Sequence, residues 1–170
     1  MMRRVLVLGG VIVAALLLES TVLAPFRLAG VRPDLLVIAV VAVAMAAGPT
    51  SAACFGFCAG LLADLLFAQP VGVSALVYTG VGFAVGLLRV YVVSSATWVH
   101  LALAGAASLA SAWCAGVVLR VLDLSSWGFV GRTGPLVALF NLLLAPVVYP
   151  VVRRLAAAPA PETVYRWEGR

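Results

Sequence analysis

Long apolar stretches, broken at intervals by proline, glycine and arginine, set the pattern of this chain. Neither the alternation of a half-buried strand nor the polar stripe of a surface helix recurs along it. Irregular backbone is confined to the ends of membrane-crossing segments or to protein-lined depth, so the breaks mark turns. The pattern predicts six helical spans: Val5–Ala24, Asp34–Ala47, Ser51–Ala68, Val73–Tyr91, Trp98–Leu122 and Pro135–Val152. About 20 apolar residues cross a bilayer. The second span falls short of that, so its ends lie at different depths or it runs on into the Gly48-Pro49 turn.

Composition turns this pattern into a class. Hydrophobic residues make up 65% of the 170 and charged ones 10%, against roughly 45–50% and 25% in soluble domains. The fold class expected is an all-α integral membrane protein, a six-helix transmembrane bundle over residues 1–153 with a short, flexible cytoplasmic tail at 154–170. Met1 to Ala24 has the basic start and apolar run of a signal peptide, but Pro25 follows the "VLA" cleavage-like site and the run is long enough to span. It is read as the first helix. The formal charge of +5 comes from arginines beside the ends of apolar segments, which argues against nucleic-acid binding and for membrane orientation and anionic headgroups. With the N-terminus inside, Arg3, Arg4, Arg89, Arg153, Arg154, Arg166 and Arg170 are cytoplasmic, against Arg27, Arg32, Arg120 and Arg132 outside. Both termini are therefore expected in the cytoplasm.

Few polar groups lie within the apolar runs. Glu19 comes out towards the outer end of the first helix, Asp34 in the first turn of the second, and Asp64 about one turn, or ~6 Å, below the outer end of the third. An intramembrane acid is a functional-site hypothesis by default, because hydrocarbon penalises it. These three could pair with the outer arginines as a structural cluster, or face a cavity or a partner. Gly56 and Gly60 form a GxxxG pair suited to close helix contact, with Ala59/Ala63 and Gly82/Gly86 as further small pairs. His100 is expected to be solvated at the cytoplasmic interface, Asn141 can bridge two helices, and Pro146 and Pro150 should kink or loosen the last helix. Cys54, Cys58 and Cys114 read as small packing residues, and Trp127 and Phe129 as interfacial. The sequence offers no nucleophile with an activating base, no phosphate loop and no metal-ligand cluster, so neither a cofactor nor an enzymatic activity is expected.

"RPDLLVIAVV" (32–41) and "GFCAGLLADLLFAQPVGVSAL" (56–76) together resemble the MreD family of rod shape-determining membrane proteins. The family pattern of Pro-Asp-Leu-Leu is met by Pro33, Asp34, Leu35 and Leu36. Gly-Phe-x-x-Gly-Leu-x-x-Asp is met by Gly56, Phe57, Gly60, Leu61 and Asp64, and the closing Gly-x-x-Ala-Leu by Gly72, Ala75 and Leu76. The resemblance implies a bundle like the substrate-binding (S) subunits of energy-coupling-factor transporters, in the bacterial cytoplasmic membrane. It implies a non-enzymatic scaffold of the cell-elongation complex that guides peptidoglycan synthesis. The partners implied are a single-span MreC-like protein and, through it, MreB and the RodA–PBP2 synthase. The glycines, with Pro33 and Phe57, would pack helices. A second reading, the substrate-binding subunit of a vitamin transporter, needs more convergent polar groups than the outer segments offer.

Overall fold

The computed structural model describes residues 2–23, 33–89, 97–123 and 127–156. These residues form six helices: α1 (Met2–Thr21), α2 (Leu35–Ala47), α3 (Pro49–Leu66), α4 (Val73–Leu88), α5 (Thr97–Val121) and α6 (Trp127–Ala156). Among the described residues there is no strand.

α2 occupies the centre. Its sequence, LLVIAVVAVAMAA, has no polar face, and Leu36 to Ala44 are at most 1% exposed. A helix apolar all round belongs where it is covered all round, and α2 touches every other helix. α1 lies on the outside and buries one stripe, Val11, Ile12, Ala15, Leu16 and Glu19. Gly48 ends α2 at φ 86° and Pro49 starts α3 at its first turn, where a missing N–H costs nothing.

Three helical segments are long and apolar enough to cross a membrane: Pro49–Leu66, Val99–Val121 and Gly134–Ala156. Val5–Thr21, Leu35–Ala47 and Val73–Leu88 are shorter. The chain is a multi-pass membrane protein built from helices of unequal length. α6 differs most from expectation. It begins at Trp127 and continues as helix through Pro135, Pro146 and Pro150 to Ala156, so neither later proline ends it.

α3 and α4 form the tightest hairpin. A Cβ on Gly56 would stand 2.5 Å from the Tyr78 carbonyl oxygen, and one on Gly60 2.5 Å from the Ala75 backbone. From the other side, a Cβ on Gly82 would meet the Ala52 carbonyl oxygen at 2.9 Å and one on Gly86 the Pro49 Cα at 2.4 Å. The two GxxxG pairs thus follow one another along one seam, Gly86 and Gly82 of α4 lying against the first turns of α3 and Gly56 and Gly60 of α3 against the first turns of α4, each glycine admitting the partner's backbone. Phe57 departs from its expected packing role: it is 52% exposed and points away from the bundle. Cys54, Cys58 and Cys114 are exposed as well, each turned outward from its helix. His100 is not solvated but 5% exposed, its ring 5.5 Å from that of Tyr149.

Candidate functional site

The polar groups of the bundle converge on the start of α2. The first N–H groups of any helix lack partners within it, and in an apolar interior no water serves them. Two carboxylates do so here. Asp34 is the N-cap, its side chain accepting from the Val37 amide at 3.1 Å. Glu19 reaches across from α1, one oxygen accepting from the amides of Leu35 and, at 3.2 Å, Leu36. Negative charge at this end also suits the helix dipole.

Three more helices join through Asp34 and its neighbours. The Tyr78 hydroxyl, from α4, donates to the second Asp34 oxygen at 2.7 Å. The Asp34 amide donates to the Asn141 side-chain oxygen on α6 at 2.8 Å. The Asn141 amide donates in turn to the Ser108 hydroxyl of α5 at 2.9 Å, and Ser108 donates to the Ala104 carbonyl. Asn141 and Ser108 are fully buried. One connected network therefore ties α1, α2, α4, α5 and α6 together. Its level follows from the helix lengths: Asn141 lies near mid-length of α6, about 20 Å from either end at 1.5 Å per residue. The short α2 starts there, deep alongside α6, and not level with the first turn of α6.

Asp64 does the equivalent work for α4. Gly72, the N-cap of α4, sits at φ 100° and has no side chain to offer. Asp64, 0% exposed, accepts instead from the Gly72 amide at 2.8 Å and from the Ser74 amide at 3.1 Å. Gly72 is thus a left-handed turn residue with open space at its Cβ position, not a helix-packing glycine. Pro33 is buried just ahead of the α2 cap. The three acids belong to two caps: Glu19 and Asp34 meet at α2, while Asp64 acts at α4. Arg27 and Arg32, suggested as partners for the acids, lie outside the described residues, as do residues 157–170 of the tail and the side chains of Trp127 and Phe129. Arg120 pairs locally with Asp123 at 2.6 Å.

Tyr78 and Ser108 were missed by sequence reasoning. A tyrosine or serine inside an apolar helix carries no periodic signal that it faces an acid or amide on another helix. Chemically, the arrangement holds helix ends in place: the carboxylates take up backbone N–H groups and a phenol, the acceptors' part in capping.

The family model for the rod shape-determining protein MreD matches residues 2–158. The chain belongs to the MreD family. Its role is accordingly in rod shape determination, within the MreBCD shape system. No curated protein and no solved structure matches it. The residues that carry the family resemblance have specific places in the geometry. Pro33 and Asp34 build the α2 cap, Gly56, Gly60 and Ala75 the α3–α4 seam, and Asp64 with Gly72 the α4 cap.

Proposed function

We propose that this MreD-family protein is a non-enzymatic scaffold subunit of the cell-elongation complex, which binds an MreC-like single-span protein and through it helps to position the RodA–PBP2 synthase and MreB. The observation that carries the reading is the family match over residues 2–158. The polar network supports it, because Glu19, Asp34 and Asp64 are engaged in holding α2 and α4 and so favour a fixed frame for helix–helix contact over a reaction centre. The proposal includes the cytoplasmic membrane as location, both termini inside, and a fold like the S subunits of energy-coupling-factor transporters.

The test is a pull-down of the tagged, detergent-solubilised chain from its native membranes, with co-purifying proteins identified by mass spectrometry. Recovery of a single-span protein with a periplasmic domain, together with cell-wall synthases, is the expected result. Recovery of a transporter ATPase pair and its coupling subunit would overturn it.

A further inference from the structure

α6 runs through Pro135, Pro146 and Pro150 with α-helical turns throughout. Each proline lacks the N–H that the carbonyl four residues earlier would have received. Pro135 thus frees the carbonyl of Gly131, Pro146 that of Leu142, and Pro150 that of Pro146. Along the helix Gly131 lies about 33 Å from Arg153, more than the ~30 Å of a hydrocarbon core, so water serves its oxygen. Leu142 and Pro146 lie only about 16 Å and 10 Å from Arg153, within the hydrocarbon, where a backbone oxygen without a donor is costly.

Both residues belong to the face that α6 turns outward, together with Leu139, Leu143 and Val147, and all five are exposed. The side-chain hydroxyls of the bundle that bond to backbone go elsewhere, to the carbonyls of Leu17, Ala75, Ala104 and Ser108. No described side chain donates to Leu142 or Pro146. The two oxygens stand one helical turn apart and carry partial negative charge into an apolar surface, which calls for a donor-bearing occupant.

Lipid does not meet that need, because acyl chains have no donor and headgroups stay at the interface. A second copy meets it poorly. Between the helix ends, the exposed side chains of α1, α3, α4 and α5 offer the thiols of Cys54, Cys58 and Cys114, which are weak donors, and the Trp113 indole. Trp113 lies outward of Ser108, the residue level with Asn141, whereas the freed carbonyls lie inward of Asn141. We infer that this face of α6 receives a transmembrane helix of a partner protein, whose hydroxyl or carboxamide side chains, one turn apart, donate to the Leu142 and Pro146 carbonyls. Its apolar side chains pack against Leu139, Leu143 and Val147, as polar contacts and close packing join helices in lipid. The inference rests on the scaffold reading above and names the face that the single-span partner occupies.

The full chain is made with a photo-crosslinking phenylalanine analogue at Leu143 or Val147 of α6, or at Leu76 or Leu87 of α4 for comparison. It is irradiated in its native membranes and the adducts are identified by mass spectrometry. The α6 positions should give an adduct with a single-span protein at fivefold or more the yield of the α4 positions. Pro146→Ala restores the missing N–H: the purified chain should keep or raise its thermal midpoint, while co-purification of the same partner falls threefold or more. Pro135→Ala, which acts where water is present, should leave co-purification unchanged. Recovery of the single-span protein with adducts from α4 and not α6 would overturn the assigned face and leave the scaffold reading standing. So would undiminished co-purification with Pro146→Ala. An α6 adduct with a second copy of this chain in place of the partner would overturn the occupant. Absence of any single-span protein, both from the adducts and from the pull-down, would overturn the scaffold reading and this inference with it.

Discussion

The two hairpins, α3–α4 and α5–α6, are joined by opposite means. In α3–α4 the contact is made by what is missing: Gly56, Gly60, Gly82 and Gly86 bring backbone against backbone, and Asp64 closes the turn by capping α4. In α5–α6 side chains make the contact. Asn141 bonds Ser108, His100 faces Tyr149, and Trp113 lies over Gly134. A backbone cannot step aside when a Cβ is added, whereas a side chain can change rotamer. The first hairpin is therefore a rigid unit with little tolerance, and the second is adjustable apart from its polar links.

The sharpest way to break that contrast is Gly60→Ala. The new methyl would sit 2.5 Å from the Ala75 backbone, and overpacking that no rotamer relieves should cost about 3 kcal/mol or more. The expected outcome is loss of monodisperse protein on size exclusion after detergent extraction. Asp64→Ala comes next. It leaves the Gly72 and Ser74 amides without their acceptor, at about 1–3 kcal/mol, read as a lower thermal midpoint by tryptophan fluorescence.

Asn141→Leu tests the polar link of the other hairpin. It strands the buried Asp34 amide and separates α6 from Ser108, a loss of about 1–2 kcal/mol. Cysteine crosslinking between α2 and α6 should become less efficient while α3–α4 crosslinks persist. The smallest effects are expected from glycines of α5–α6. Gly134→Ala pushes against the Trp113 ring, which is 52% exposed and free to swing outward, so the thermal midpoint should fall only slightly. Gly105→Ala meets nothing closer than Leu142 at 3.5 Å and should stay within about 0.5 kcal/mol of the parent. A Gly105→Ala variant as damaged as Gly60→Ala would remove the distinction between the hairpins.

Much of this was written in the chain. The membrane class follows from the length of the apolar runs, because the bilayer sets how much hydrocarbon a helix must match. The order of the helices follows from the Gly, Pro and Arg breaks, and the close approach of α3 from its GxxxG spacing. Asp34 beside Pro33 at the head of an apolar run was legible as an acid in the first turn of α2, one residue from the N-cap place it takes, since the preference of carboxylates for free helix N–H groups is local in sequence.

Only the tertiary structure decided which distant groups meet. Glu19 caps a helix 16 residues further along the chain and Asn141 accepts from an amide 107 residues away; neither spacing has a period that a sequence can display. The outward direction of Phe57 and the cysteines was equally hidden. In a membrane the lipid-facing and the buried surfaces are both apolar, so hydrophobicity no longer tells inside from outside, and the packing of the six helices alone settles which residues each face presents.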